Sequence, residues 1–342
     1  MWIPRVGLTF DNEGNTMKKV LLTSTALVAF AGAASAEVTV SGWAEMGIYG
    51  GTDMETQFFQ DIDVEFRMSG ETDGGLTFGA GVDLDEDGAF TPSDDGGAFI
   101  FISGSFGTVT MGDTDGALDW ALTDAGNIGN PGSIADDETV HVGYNGNWLD
   151  GAYDGQIVRY DNTFGDFGVA ISVEMDDSGV LDTGYAVGFK YNTDLGGADL
   201  ALGLGYQEAE LTNFNTILDY FDDTYFGTTT GIKVSALGLG ATVTLDSGLT
   251  AGFTFTDFSI DGTDADLTHT GLGVGYAVDA FSVHMNYGIF DIDGVELSGW
   301  GLTAGYDLGG GASVLAGYGS SDFSDIGGDT VDTWSLGLSM AF

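Results

Sequence analysis

The chain has 342 residues, with 58 glycines, 3 prolines, no cysteine, and 53 acids against 7 bases. The lack of cysteine excludes a disulfide framework, a thiol nucleophile and a Cys-type zinc site, and so few bases exclude nucleic acid as a partner. A content of 43% hydrophobic and 12% aromatic residues is too apolar for a solvated acidic tail. A chain both acidic and apolar must keep the two properties apart in space.

Met17-Lys18-Lys19, the apolar run Val20 to Gly32 and Ala34-Ser35-Ala36 have the order of a secretory signal peptide: basic start, short apolar stretch, A-x-A cleavage site. The run is shorter than the ~20 apolar residues of a spanning helix. Residues 1–16 read as an upstream start-site artefact, 17–36 as the signal and 37–342 as one mature domain. Cleavage after Ala36 removes three of the seven bases and two of the 53 acids, leaving 4 and 51. The protein is therefore expected outside the cytoplasm.

From Val38 onward a period of two recurs, which is the strand signal. In Ile62-Asp63-Val64-Glu65-Phe66-Arg67-Met68 the even positions are apolar and the odd ones charged. Phe167 to Glu174 and Phe281 to Tyr287 keep the same rhythm. About sixteen such segments fit before Phe342. Their connectors divide into tight turns (69–74, 104–107, 192–197, 246–248, 307–311) and longer acidic loops (85–97, 114–154, 208–230, 261–266, 320–330).

A soluble sandwich would alternate too, but it leaves sheet edges to protect. Hydrocarbon demands closure, because each unpaired backbone group costs several kcal/mol there. Sixteen strands, apolar on one face and rich in Gly, Ser, Thr, Asp and Glu on the other, predict an all-β, antiparallel up-and-down transmembrane barrel. By parity the four mature bases, Arg67, Arg159, Lys190 and Lys233, and the acids Asp61, Asp63 and Glu65 are assigned to the polar pore wall. Tyr160, Tyr191, Tyr276 and Tyr306 precede short turns on the apolar parity, as interfacial girdles do. Trp334, Leu336, Leu338, Met340 and Phe342 form an alternating last strand ending on an aromatic residue.

These features resemble a general porin of Gram-negative bacteria, most like alphaproteobacterial, Rhodobacter-type outer-membrane porins. The resemblance rests on Gly104-Ser105-Phe106-Gly107-Thr108-Val109-Thr110-Met111-Gly112-Asp113, on Ile157 to Phe164, on Tyr306 to Val314 and on the Phe342 ending. It implies a sixteen-stranded barrel, a homotrimer in outer-membrane lipid, passive diffusion of small hydrophilic solutes, and recognition by the barrel assembly machinery through Phe342. It also implies that residues 114–154 are an inward-folded third loop, with Asp113, Asp115, Asp119 and Asp124 as the acidic rim of a constriction. Arg67 and Arg159 would face them, followed by Lys190 and Lys233. So thin a basic set predicts a negative lumen that prefers cations.

Asp83, Asp85, Asp87 and Asp94, around Gly88, imitate the start of a calcium loop, without flanking helices. Ca²⁺ is the one candidate ligand, and no cofactor is required. His141, His269 and His284 lack metal-ligand spacing, and the last two fall on the lumen parity as wall residues. Gly203-Leu204-Gly205 and 271–275 lack the spacing and following helix of a phosphate cradle. Nothing points to an enzyme. The competing reading is a secreted acidic β-rich adhesin or surface protein with Ca²⁺-dependent loops.

Overall fold

The computed structural model describes residues 36–87, 97–136, 141–146, 149, 157–176, 179–211 and 231–342. Residues 1–35, which hold the expected start-site artefact and all but the last residue of the expected signal 17–36, lie outside the described residues. Sixteen strands follow in chain order: β1 (Glu37–Gly51), β2 (Met54–Glu71), β3 (Thr77–Asp87), β4 (Ala98–Gly104), β5 (Gly107–Gly112), β6 (Ile157–Phe164), β7 (Phe167–Glu174) and β8 (Gly184–Asp194). The second half comprises β9 (Ala198–Leu211), β10 (Ile232–Leu245), β11 (Leu249–Ile260), β12 (Leu267–Val278), β13 (Phe281–Ile292), β14 (Val295–Gly309), β15 (Ala312–Asp322) and β16 (Val331–Ala341). Each pairs with its chain neighbours, and β1 pairs antiparallel with β16, so the sheet is a closed barrel. Closure leaves no edge, the condition set by a membrane.

Residues paired directly across a ladder share a face. The rows Leu204–Leu239 and Phe253–Leu272–Tyr287–Trp300 are outward and exposed. This is the lipid side. At the short-turn end aromatic rings pair across strands: Phe167 with Tyr191 at 4.8 Å and Phe281 with Tyr306 at 4.7 Å. Phe342 completes the seam, its N–H donating to Gly42 O at 2.8 Å.

Further tight turns occur where the sequence marked none. Gly165-Asp166 and Asp279-Ala280 close hairpins at one end, and at the other Thr52-Asp53 and Asp293-Gly294 do the same in two residues. Asp293 (φ 53°) and Gly294 (φ 84°) both take positive φ, the conformation that two-residue hairpins require.

Toward the loop end of β9–β14 the polarity of the two faces reverses. Val234, Ala236, Phe258, Ile260, Leu267, Phe290 and Ile292 point inward and are buried. Lys233, Asp257 and Asp291 take the outward positions between them. Here the strands rise past the lipid band, so water bathes the outside while chain packs on the inside. Lys233 is a correction to the pore-wall assignment: it shares the outward face with Leu237 and Leu239, and its Nζ lies 3.0 Å from Asp182 Oδ2.

Candidate pore and its inner loop

The chain between β5 and β6 turns back into the barrel. Its short helix α1 (Ala117–Ala121) and a 3-10 turn (Ala125–Asn127) lie against the inner faces of β7–β9 and β11–β13. Leu118, Leu122 and Leu149 join the inward apolar side chains of the wall in one buried cluster. Burial at ~25 cal/mol per Å² of apolar surface is what holds the loop down.

Glycines on the wall make the close approach possible. A Cβ on Gly188 would fall 2.0 Å from Ala117 O, one on Gly203 2.1 Å from Ala121 O, and one on Gly288 1.6 Å from Gly143 O. Farther on, Ile134 Cδ1 would be 2.2 Å from a Cβ on Gly47, so the loop reaches β1. These strand glycines are seats for loop backbone.

Polar bonds fix the register of the loop on the wall. Ala117 N donates to Ser172 Oγ at 2.9 Å, and Thr303 Oγ1 to Asn130 Oδ1 at 2.6 Å. Gln207 Nε2 donates both to Leu149 O at 3.0 Å and to Glu174 Oε1 at 2.9 Å, inside the wall.

The expected charges take distinct positions. Asp115 meets Arg159 twice: Arg159 Nη1 donates to Asp115 O at 2.6 Å and lies 3.6 Å from its carboxylate. Arg159 Nε also lies 3.3 Å from Asp161 Oδ1. Lys190 Nζ sits 4.1 Å above the Trp120 ring, within electrostatic reach of Asp115, Asp119 and Asp161. Asp113, at the end of β5, reaches toward Gly97 and donates its N–H to Ala98 O at 3.0 Å. Asp124 departs from the expected rim. It is 6% exposed, accepts from Gly146 N at 2.9 Å, and burial pushes its carboxyl up to about 7. It braces the loop from within.

Four strands farther along the wall, on β2, Arg67 is paired with Glu65 and its guanidinium stands 5.6 Å from the Phe99 ring. Asp61, Asp63 and Glu65 on β2, on the inner parity, pair in register with positions 87, 85 and 83 of β3. Asp83, Asp85 and Asp87 of the calcium reading fall on strand β3, and its fourth residue, Asp94, lies outside the described residues.

The closed sixteen-stranded barrel is matched by known proteins. The model of the Gram-negative porin family matches residues 23–326. The chain belongs to the Gram-negative porin family. It is 31% identical to the porin of Rhodobacter capsulatus over 300 residues, 84% of this chain and 95% of that one. Among solved structures, a porin refined at 1.8 Å resolution superposes with a TM-score of 0.67 at 24% identity, covering 90% of this chain and all of that one. An anion-selective porin from Comamonas acidovorans gives 0.63 at 16% identity, with 90% and 100% covered. At these identities the two structures speak for the fold.

This porin is an outer-membrane protein and a channel for passive diffusion, which sets aside the adhesin reading. Sequence reasoning had missed the histidines as a group. His141, His269 and His284 converge beneath the loop, all buried. The visible signal was that the two on strands share the inner parity with Asn286 and flank the same hairpin.

Proposed function

We propose that this porin passes small hydrophilic solutes and favours cations. The observation that carries the reading is that every mature base is engaged. Arg67 is held by Glu65, Arg159 by Asp115 and Asp161, and Lys190 lies over Trp120, while Lys233 stands outside the bore with Asp182. The acids of β2 and β3 outnumber the single base among them, so the potential of the lumen is negative. Asp113, Asp115 and Asp119 on the loop side, facing Arg67 and the Arg159 pair, bound the constriction, with Asp61, Asp63, Glu65 and Lys190 on the wall.

The protein is exported by cleavage near Ala36, assembles through the strand ending at Phe342, and works as a homotrimer in outer-membrane lipid. The test of selectivity is the reversal potential of reconstituted channels across a tenfold KCl gradient, expected to have the sign of K⁺ permeation. Arg159→Ala, which frees Asp115 and Asp161, is expected to move it further the same way. A reversal potential of the opposite sign refutes the reading.

A further inference from the structure

Three polar side chains lie side by side across the barrel seam: Ser339 on β16, Glu45 on β1 and Asp61 on β2. On one side of this row Trp43 pairs with Asp63. On the other side Gly47 pairs with both Phe59 and Gly337. The inner loop marks the face, because a Cβ on Gly47 or on Gly337 would collide with Ile134 Cδ1. Residues two apart in a strand share a face, so Ser339, Glu45, Asp61, Trp43 and Phe59 all point into the barrel.

The row is built of acceptors. Glu45 and Asp61 are directly opposite, where Cβ atoms stand ~4.5–5.5 Å apart and like charges repel. A cation between them relieves that repulsion. Ser339 is 2% exposed, and its hydroxyl makes no hydrogen bond. A buried hydroxyl in that state has lost its water without replacement. Trp43, Phe59 and Asp61 are only half-buried, which leaves the row open on the side of the bore.

We propose that Glu45, Asp61 and Ser339 bind the primary ammonium group of an organic solute, with Trp43 and Phe59 flanking its carbon chain. The site rests on the cation-preferring channel argued above and gives that channel a class of solute.

A primary ammonium carries three N–H donors. Two carboxylates and a hydroxyl oxygen offer it acceptors from three adjacent strands. Trp43 Nε1 donates to Glu45 Oε1 at 3.0 Å, which orients that carboxylate and leaves it capacity to accept more. Phe59 is braced by Tyr49, their rings edge to face at 5.9 Å. Aromatic faces attract cations, indole most of all. The neighbouring strands hold a cation of the chain itself in the same manner: Arg67 is paired with Glu65 and stands 5.6 Å from the Phe99 ring. A divalent metal suits the row less well. Among the described residues no three carboxylates or imidazoles gather as a metal site, and such ions take six or more oxygens. On the opposite wall the inward rings Phe258 and Phe290 are buried beneath the loop and out of reach of a solute.

The experiment uses the full mature porin in planar bilayers, with n-butylammonium chloride added to KCl as the probe. The K⁺ current is expected to fall saturably as butylammonium rises. Tetramethylammonium has the charge without N–H donors, and its half-blocking concentration is expected to be at least about tenfold higher. Ser339→Ala removes one acceptor and should raise the half-blocking concentration of butylammonium about tenfold. Glu45→Gln should raise it by at least about tenfold. A block that does not saturate, equal block by the two cations, or an unchanged block in Ser339→Ala overturns the proposal. If Glu45→Gln does not fold, Ser339→Ala and the comparison of cations decide. The reversal potential in KCl alone is recorded on the same channels. A K⁺ sign without butylammonium block overturns the site and leaves the selectivity reading standing. A Cl⁻ sign overturns that reading, and a block that depends on Ser339 then still upholds the site.

Discussion

Arginine in place of Leu272 will sharply reduce the amount of folded porin that lipid can hold. Leu272 lies at the middle of β12, outward and half exposed, opposite Phe253 and Tyr287. A basic charge on the lipid face near mid-bilayer costs ~2–4 kcal/mol, which is roughly a 30- to 700-fold shift of the folding equilibrium at ~1.4 kcal/mol per factor of ten. Against a typical total stability of ~5–15 kcal/mol, such a loss is large. The comparison is arginine at Thr242, half-buried on the inner face of β10, where the native wall already carries Arg159 and Lys190. Denaturant titration of folding into phospholipid vesicles should show a lower midpoint for Leu272→Arg and a near-parental one for Thr242→Arg. Equal midpoints would mean that the two faces are misassigned.

Gly288→Val is expected to leave the barrel intact and narrow the channel. A Cβ at that position would lie 1.6 Å from Gly143 O and 2.3 Å from its carbon, so loop backbone and side chain cannot both occupy the seat. The strand cannot yield easily, because β13 is bonded along its length to β12 and β14. The loop is held by fewer bonds and moves instead, toward the bore. Overpacking of this kind costs ~1–3 kcal/mol, which the loop contacts bear and the barrel does not. Single-channel conductance should fall by about a factor of two or more, with the folding midpoint close to parental. Gly240→Ala serves as the control: its Cβ would be no closer than 3.4 Å to any neighbour, so conductance should not change.

Much of this was legible in order along the chain. Strand alternation marked the barrel because pleating sends successive side chains to opposite faces wherever the chain is extended. The inner placements of Arg67, Arg159 and Lys190 followed from the same parity. Lys233 did not, and its case shows the limit. Its neighbours Val234 and Ala236 are apolar, which on parity alone puts them outside and the lysine inside. In the folded chain they are covered by Leu118 and Leu122 of the inner loop, so apolar means inward there.

Asp124 and the histidines failed to be read for a related reason. Asp124 looked like one more rim acid in a run of aspartates, yet it is buried against Gly146. His141 is 143 residues from His284 in number, and no spacing rule connects a loop to the wall it folds onto. The glycines of β9 and β12 read as strand glycines; their use as seats depends on what crosses above them.

The sequence by itself determined an alternating, edge-free sheet with an acidic side, because each strand's pattern is local and closure is demanded by hydrocarbon. Only the tertiary structure decided which inner positions are wet and which are roofed by the loop. That choice depends on contacts between segments far apart in the chain, and the same small or apolar residue suits lipid outside and packed chain inside.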